Sequence, residues 1–262
     1  MPFLTFMPLW LLALLVIGLP TALAMLGPVV VRRFVALDKL RTNNEVAGFK
    51  FATVGVIYAV LLAFAVIVVW EKFNDAESNV AREASAAATI FRLADSLTPE
   101  RSAPLKQAMA AYLRAVVARD WPAMEQGHAS LDVTHALSDI YSALLKKQPG
   151  EQIDPIVLTE LLRQLDEISA GRRSRLVASD GTVPSILWYV LLGGAVLTVA
   201  FTFFFGTANL GAQALMTGAL SILIFSGLLT VVVIDRPFAG SVKVEPNAFV
   251  YVLRDIAGVT QQ

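Results

Sequence analysis

His128, Asp132, His135 and Asp139 step by 4, 3 and 4, so one continuous helix would align two imidazoles and two carboxylates on a single face. Such a set could hold a divalent metal. However, Gly127 and Ser130 interrupt the helical pattern before it includes His128, and a solvated polar face is the ordinary reading of such a pattern. No nucleophile–base arrangement, phosphate-binding glycine loop or metalloprotease motif occurs, and the chain has no cysteine. The residues therefore predict neither an enzyme nor a metal or other cofactor.

A second set of polar groups lies in long apolar stretches: Thr53, Tyr58, Thr198, Thr202, Thr217, Ser221 and Thr230. Hydroxyls there could line a path for ions. The simpler reading is that each bonds a carbonyl of its own helix. Near them Gly48, Ala52, Gly55, Ala59 and Ala63 form a stripe stepping by 4, 3, 4 and 4, and Gly211, Ala214, Gly218 and Ser221 form another. Small residues at this spacing let helix backbones approach closely in lipid, most simply within one chain. The other side of the first stripe's helix, with Val54, Tyr58, Leu61, Ala65 and Val68, would then face a neighbour or a pore. At its mouth Asn43, Asn44, Glu45 and Lys50 could form an entrance ring. Alternatively, an Asn caps the helix while Glu45 complements its positive end.

These groups sit in four apolar blocks, roughly 9–31, 51–70, 186–205 and 215–234, none of which holds Lys, Arg, Asp, Glu or His. Each has about the 20 residues needed to cross a bilayer as a helix. Hydrophobic residues make up 56% of the chain and charged ones 16%, with mean hydropathy +0.64, which places it in the membrane class. Its 21 basic and 21 acidic residues cancel, so nothing points to nucleic acid. Ala22-Leu23-Ala24 resembles a signal-peptidase site. Residues 1–8 lack Lys and Arg, though, and the apolar run continues to Arg32-Arg33, so it reads as a retained membrane helix.

The expected fold is all-α, with two transmembrane hairpins, 1–70 and 184–235, separated by a helical extramembrane domain, 71–183, and followed by a tail, 236–262. Residues 71–183 carry 13 Lys/Arg and 16 Asp/Glu, too many for lipid. No Gly or Pro interrupts 56–97, which predicts a rod running from the second block into the domain. Along it Phe73, Ala76, Val80, Ala84, Ala87, Phe91 and Ala94 step by threes and fours, a seam suited to an oligomeric neck or a signalling coiled coil. Glu71, Asp75, Arg82 and Glu83 are expected on its wet sides. Three further helices follow, the last ending in the basic run at Arg172, Arg173 and Arg175, which complements its dipole. Trp10, Trp70 and Trp188 mark the interface on the domain side. Arg32, Arg33, Lys39, Arg41 and Lys50 in the first connector argue for placing it in the cytoplasm.

Several phrases resemble a bacterial membrane family called bestrophin-like. They are Asn43-Asn44-Glu45-Val46-Ala47-Gly48-Phe49, Gly55 to Phe64, Trp70-Glu71-Lys72-Phe73, Trp121-Pro122-Ala123-Met124, Gln213-Ala214-Leu215-Met216 and Asp235-Arg236-Pro237-Phe238. The resemblance implies a distant likeness to bestrophin anion channels, which share the plan of two spans, a helical domain and two spans. They assemble as pentamers around the second helix, with the domain in the cytoplasm, the opposite orientation to the one the connector's charges favour. It also implies a bacterial inner membrane, with lipid, further copies of the chain and inorganic anions as partners. The acidic calcium clasp of animal bestrophins is missing.

No buried ionisable group is available in the spans for proton coupling or voltage sensing. The leading expectation is a passive homo-oligomeric channel, its narrowest point among Ile57, Val60, Leu61 and Phe64. The alternative is a membrane-anchored sensor or scaffold that binds a protein through 71–183.

Overall fold

The computed structural model describes residues 7–146, 153–181 and 183–259. Every regular element among them is helical. Helix α1, Leu9–Phe34, contains a π-helical turn at Leu14–Gly18, and the short α2 covers Leu37–Thr42. Helix α3 is one 50-residue element, Asn44–Leu93, extended to Ser96 by a 3-10 turn. Then come α4 (Pro99–Ala115), a π turn (Val116–Asp120), α5 (Trp121–Glu125), α6 (Leu131–Leu145) and α7 (Pro155–Ser179). Helices α8 (Ser185–Phe201), α9 (Leu210–Ile234) and α10 (Asn247–Val259) complete the chain. Among the described residues four helices are long and apolar enough to cross a membrane: α1, α3, α8 and α9. The protein is an all-α membrane protein.

The chain divides into two compact units, and α3 contributes to both. The membrane unit takes residues up to Glu71 and then 183–235. Its hub is α9, which packs chiefly on α1. Thr21 donates to Ser221 across that contact at 3.2 Å, and a Cβ on Gly218 would stand 3.0 Å from Met25. The stripe on α9 is therefore used inside the chain.

The helical unit takes 72–181 and 236–259. Its core joins Ala76, Val80, Ala84, Ala87, Ile90 and Ala94 of α3 to Leu105, Met109 and Tyr112 of α4, Val133 and Ile140 of α6, and Leu161, Leu165 and Ile168 of α7. Asp154 caps α7 by accepting from the Ile156 N–H at 2.8 Å, and Arg101 donates to the Leu144 carbonyl at 2.6 Å at the end of α6.

Two expectations are corrected here. Residues 236–259 are not a detached tail, because Phe238 and Phe249 are fully buried against Trp121, whose Nε1 donates to the Val244 carbonyl at 3.0 Å. Helix α7 does not end at its basic run but continues to Ser179, with Arg172 and Arg175 turned inward.

Candidate functional site

The membrane half of α3 has two contrasting sides. One packs inside the chain: Phe51 meets Phe201 and Phe205 at ring separations of 5.9 and 5.6 Å, and Tyr58 and Val69 are buried. Glycines on neighbouring helices make room for it. A Cβ on Gly194 would stand 2.5 Å from the Tyr58 ring, and one on Gly227 2.7 Å from Leu62. Close approach is thereby built in, and the Tyr58 hydroxyl donates to the Leu191 carbonyl at 3.1 Å.

The other side is open. Val56, Ile57, Val60 and Phe64 are between 50% and 65% exposed, whereas Leu61 is half-buried. Ala52, Ala59 and Ala63 are exposed, Gly48 and Gly55 half-exposed, and a Cβ on Gly55 would meet nothing within 4 Å. This corrects the simpler reading of the stripe: bulky Tyr58 and Leu62 supply the intrachain contacts, and the small residues remain uncovered. Of the most apolar stretch, 11% is buried in α3 against 44% in α9, so α3 has the most surface left for another partner.

Leu61, Phe64, Ala65 and Val68 also line an apolar cleft of about 230 Å³ with Val183, Pro184, Leu187 and Leu191. At the start of α3, Asn43, Glu45 and Lys50 are exposed. The Asn44 amide instead grips the α8–α9 turn, donating to the Gly206 carbonyl at 2.9 Å and accepting from its N–H at 2.8 Å. Gly206 is confined there, since a Cβ would stand 2.5 Å from the Arg41 backbone nitrogen. Arg32, ending α1, reaches the same turn through the Thr207 carbonyl and Gln213 Oε1.

The span hydroxyls follow two patterns. Thr53, Thr198 and Thr230 donate to carbonyls four residues back in their own helices. Ser221 and Thr217 instead pair with Thr21 and Thr202 on other elements.

In the helical unit, Val80, Ala84, Ala87 and Phe91 are buried and Phe73 is half-buried, all within the chain's own core. The expected oligomer seam is thus corrected: other helices of the same chain cover it. Glu83, expected on a wet side, is fully buried and pairs with Arg175, Nε to Oε2 at 2.7 Å and Nη2 to Oε1 at 2.9 Å. Tyr112 donates to Glu83 at 2.7 Å. Asp120, buried on the π turn, accepts from Arg172 at 3.0 Å and from Arg175 at 3.4 Å. The Arg175 guanidinium also lies 5.0 Å from the Trp121 ring centre.

Burial works against the charge of Arg175, but Glu83, with Tyr112 and Asp120, outweighs it and raises its pKa. Burial, and then the Glu83 charge, push the Tyr112 hydroxyl well above its usual value. With its cations and carboxylates mutually paired, the cluster is suited to holding α3, α4 and α7 together. A sequence signal for it existed: Leu161, Leu165, Ile168, Arg172 and Arg175 step by 4, 3, 4 and 3, which places both arginines on the apolar face of α7.

His128 lies before α6, so Asp132, His135 and Asp139 share that helix without it. Among the described residues no group of three or more His, Asp and Glu is placed to hold a metal.

No curated protein matches the chain. Among solved structures, it is similar to a bacterial bestrophin homolog from Klebsiella pneumoniae, at TM-score 0.73 and 14% identity, covering 94% of this chain and 99% of that one. A variant of that homolog gives TM-score 0.70 at 14% identity, covering 92% and 99%, and a structure described as a membrane protein gives 0.72 at 15%, covering 94% and 99%. These likenesses concern the fold. The family profile of the bestrophin-like domain matches residues 18–249, most of the chain. The four apolar helices, the helical unit and this match agree, and the chain belongs to the bestrophin-like family.

Proposed function

We propose that the protein is a passive ion channel formed by several copies of the chain, with the membrane half of α3 lining the pore and anions as its ions. The observation that carries this reading is the open face of α3. Bulky residues pack that helix inside the chain, while a Gly/Ala stripe, which gives no advantage against lipid, is left uncovered. Neighbouring copies on that stripe would bring Ile57, Val60 and Phe64 toward a shared axis, with Leu61 beside them. By analogy with bestrophins the copies number five and the membrane is a bacterial inner membrane. The spans contribute no charged ring, so the constriction is apolar and gates by dewetting.

The test is chloride and potassium flux in liposomes for wild type, Leu61→Ala and Phe64→Ala, together with particle images of the purified complex. Increased flux in either variant and a closed ring are expected. A monomer, or flux at the empty-liposome level in all three, overturns the channel and leaves a scaffold that binds through 71–183.

A further inference from the structure

One end of the membrane unit carries an excess of positive charge. Helix α1 closes with Arg32 and Arg33, α2 carries Lys39 and Arg41, and Lys50 lies in the second turn of α3. Only Asp38 and Glu45 oppose them on this connector, and the α8–α9 turn, which Asn44 and Arg32 grip, has no charged residue. The unit's other acids, Glu71 and Asp235, lie at the far ends of α3's membrane half and of α9. Arg33, Lys39, Arg41 and Lys50 are exposed, and none of them enters an ion pair among the described residues.

The surroundings of these cations decide what they meet. Phe34 and Phe49 flank the connector at 82% and 78% exposure, at the ends of two spans, so the charged connector begins where the exposed apolar surface of those helices stops. Leu40 anchors α2 beneath its two cations, at 7% exposure. The four cations are therefore held at headgroup depth. They are exposed on three different helices, and a layer of headgroups can meet all four at once.

We infer that the α1–α2–α3 connector is a docking surface for anionic phospholipid headgroups. The inference stands apart from conduction, since it needs neither a pore nor a second copy.

The test uses the full chain in detergent and follows its melting temperature. The additions are dioctanoyl-phosphatidylglycerol, dioctanoyl-phosphatidylcholine and glycerol 3-phosphate. Phosphatidylglycerol alone should raise the melting temperature, and the rise should shrink between about 0.05 M and about 0.5 M salt as screening shortens. R33Q/K39Q/R41Q/K50Q should raise the lipid concentration needed for a given rise by about fivefold per cation removed. The pairs R33Q/R41Q and K39Q/K50Q test the same point should the fourfold variant not fold. R119Q/R163Q, exposed in the helical unit, should respond like wild type. An equal rise with phosphatidylcholine overturns the inference in favour of acyl-chain binding, and one with glycerol 3-phosphate in favour of a free-anion site. A full response in the fourfold variant, or in both pairs, overturns it outright.

Discussion

Both halves of α3 carry a row stepping by threes and fours, all Gly and Ala from Gly48 to Ala63 in the membrane half and Ala with Val80 and Phe91 from Ala76 to Ala94 beyond it, and inside the chain they have opposite fates. The outer row is core, with Ala76, Ala84, Ala87 and Ala94 at 1% exposure or less, covered by the chain's own helices. The membrane row is left open, while Phe51, Tyr58 and Leu62 on the neighbouring side of the helix make the contacts. The difference lies in the medium. In water an apolar seam must be covered, and the nearest cover is the same chain. In lipid an apolar side is already solvated, so a small-residue row can wait for a second helix.

The largest effect should come from breaking the buried row's polar clasp. Glu83→Ala leaves Arg175 charged in the core with only its longer 3.4 Å ion pair to Asp120, and should cost about 3 kcal/mol in a denaturation experiment on the purified protein. Stability within error of wild type would show that the helical unit does not depend on that pairing. Next in size is Ala87→Leu, where added bulk in a filled core should cost about 1–3 kcal/mol. If it instead changed assembly and spared the fold, the outer row would be an intersubunit seam after all.

Gly55→Leu sharpens the contrast from the other side. Its Cβ meets nothing in the chain, so the fold should shift by no more than about 0.5 kcal/mol while light scattering reports smaller assemblies. Unfolding would show that the membrane row packs intrachain.

A further effect concerns pH. Tyr112 has its folded pKa raised above the unfolded value of 10.0, so its contribution is fully present below about pH 10 and is lost as pH rises beyond it. Tyr112→Phe should cost about 1 kcal/mol at neutral pH through the lost Glu83 bond and make the alkaline decline shallower. An unchanged alkaline slope would remove Tyr112 as its source.

The spans and their polar insert were legible in the sequence, because lipid is the medium that suits an uncharged run of membrane length. Capping at Asp154 and the end of α3's rod before Pro99 were readable for similar local reasons. What periodicity could not supply was the identity of the covering surface. Gly48 to Ala63 and Ala76 to Ala94 share one period, and which of them is covered depends on helices distant in sequence. The clasp was hidden for a related reason. Arg172 and Arg175 continue an apolar face, but a charged residue there reads as solvent-facing until Glu83 and Asp120 are brought to it.

The π turn at Val116–Asp120 bears on how the family's lengths can drift. Such a turn holds one residue more than the α-helix around it, so removing one leaves both flanks aimed as before. Ala118 is exposed there, between buried Val116 and Asp120. A single-codon deletion at Ala118 is therefore the indel this domain is best built to absorb, whereas the same deletion in mid-α4 would rotate Met109 and Tyr112 out of step with Val116.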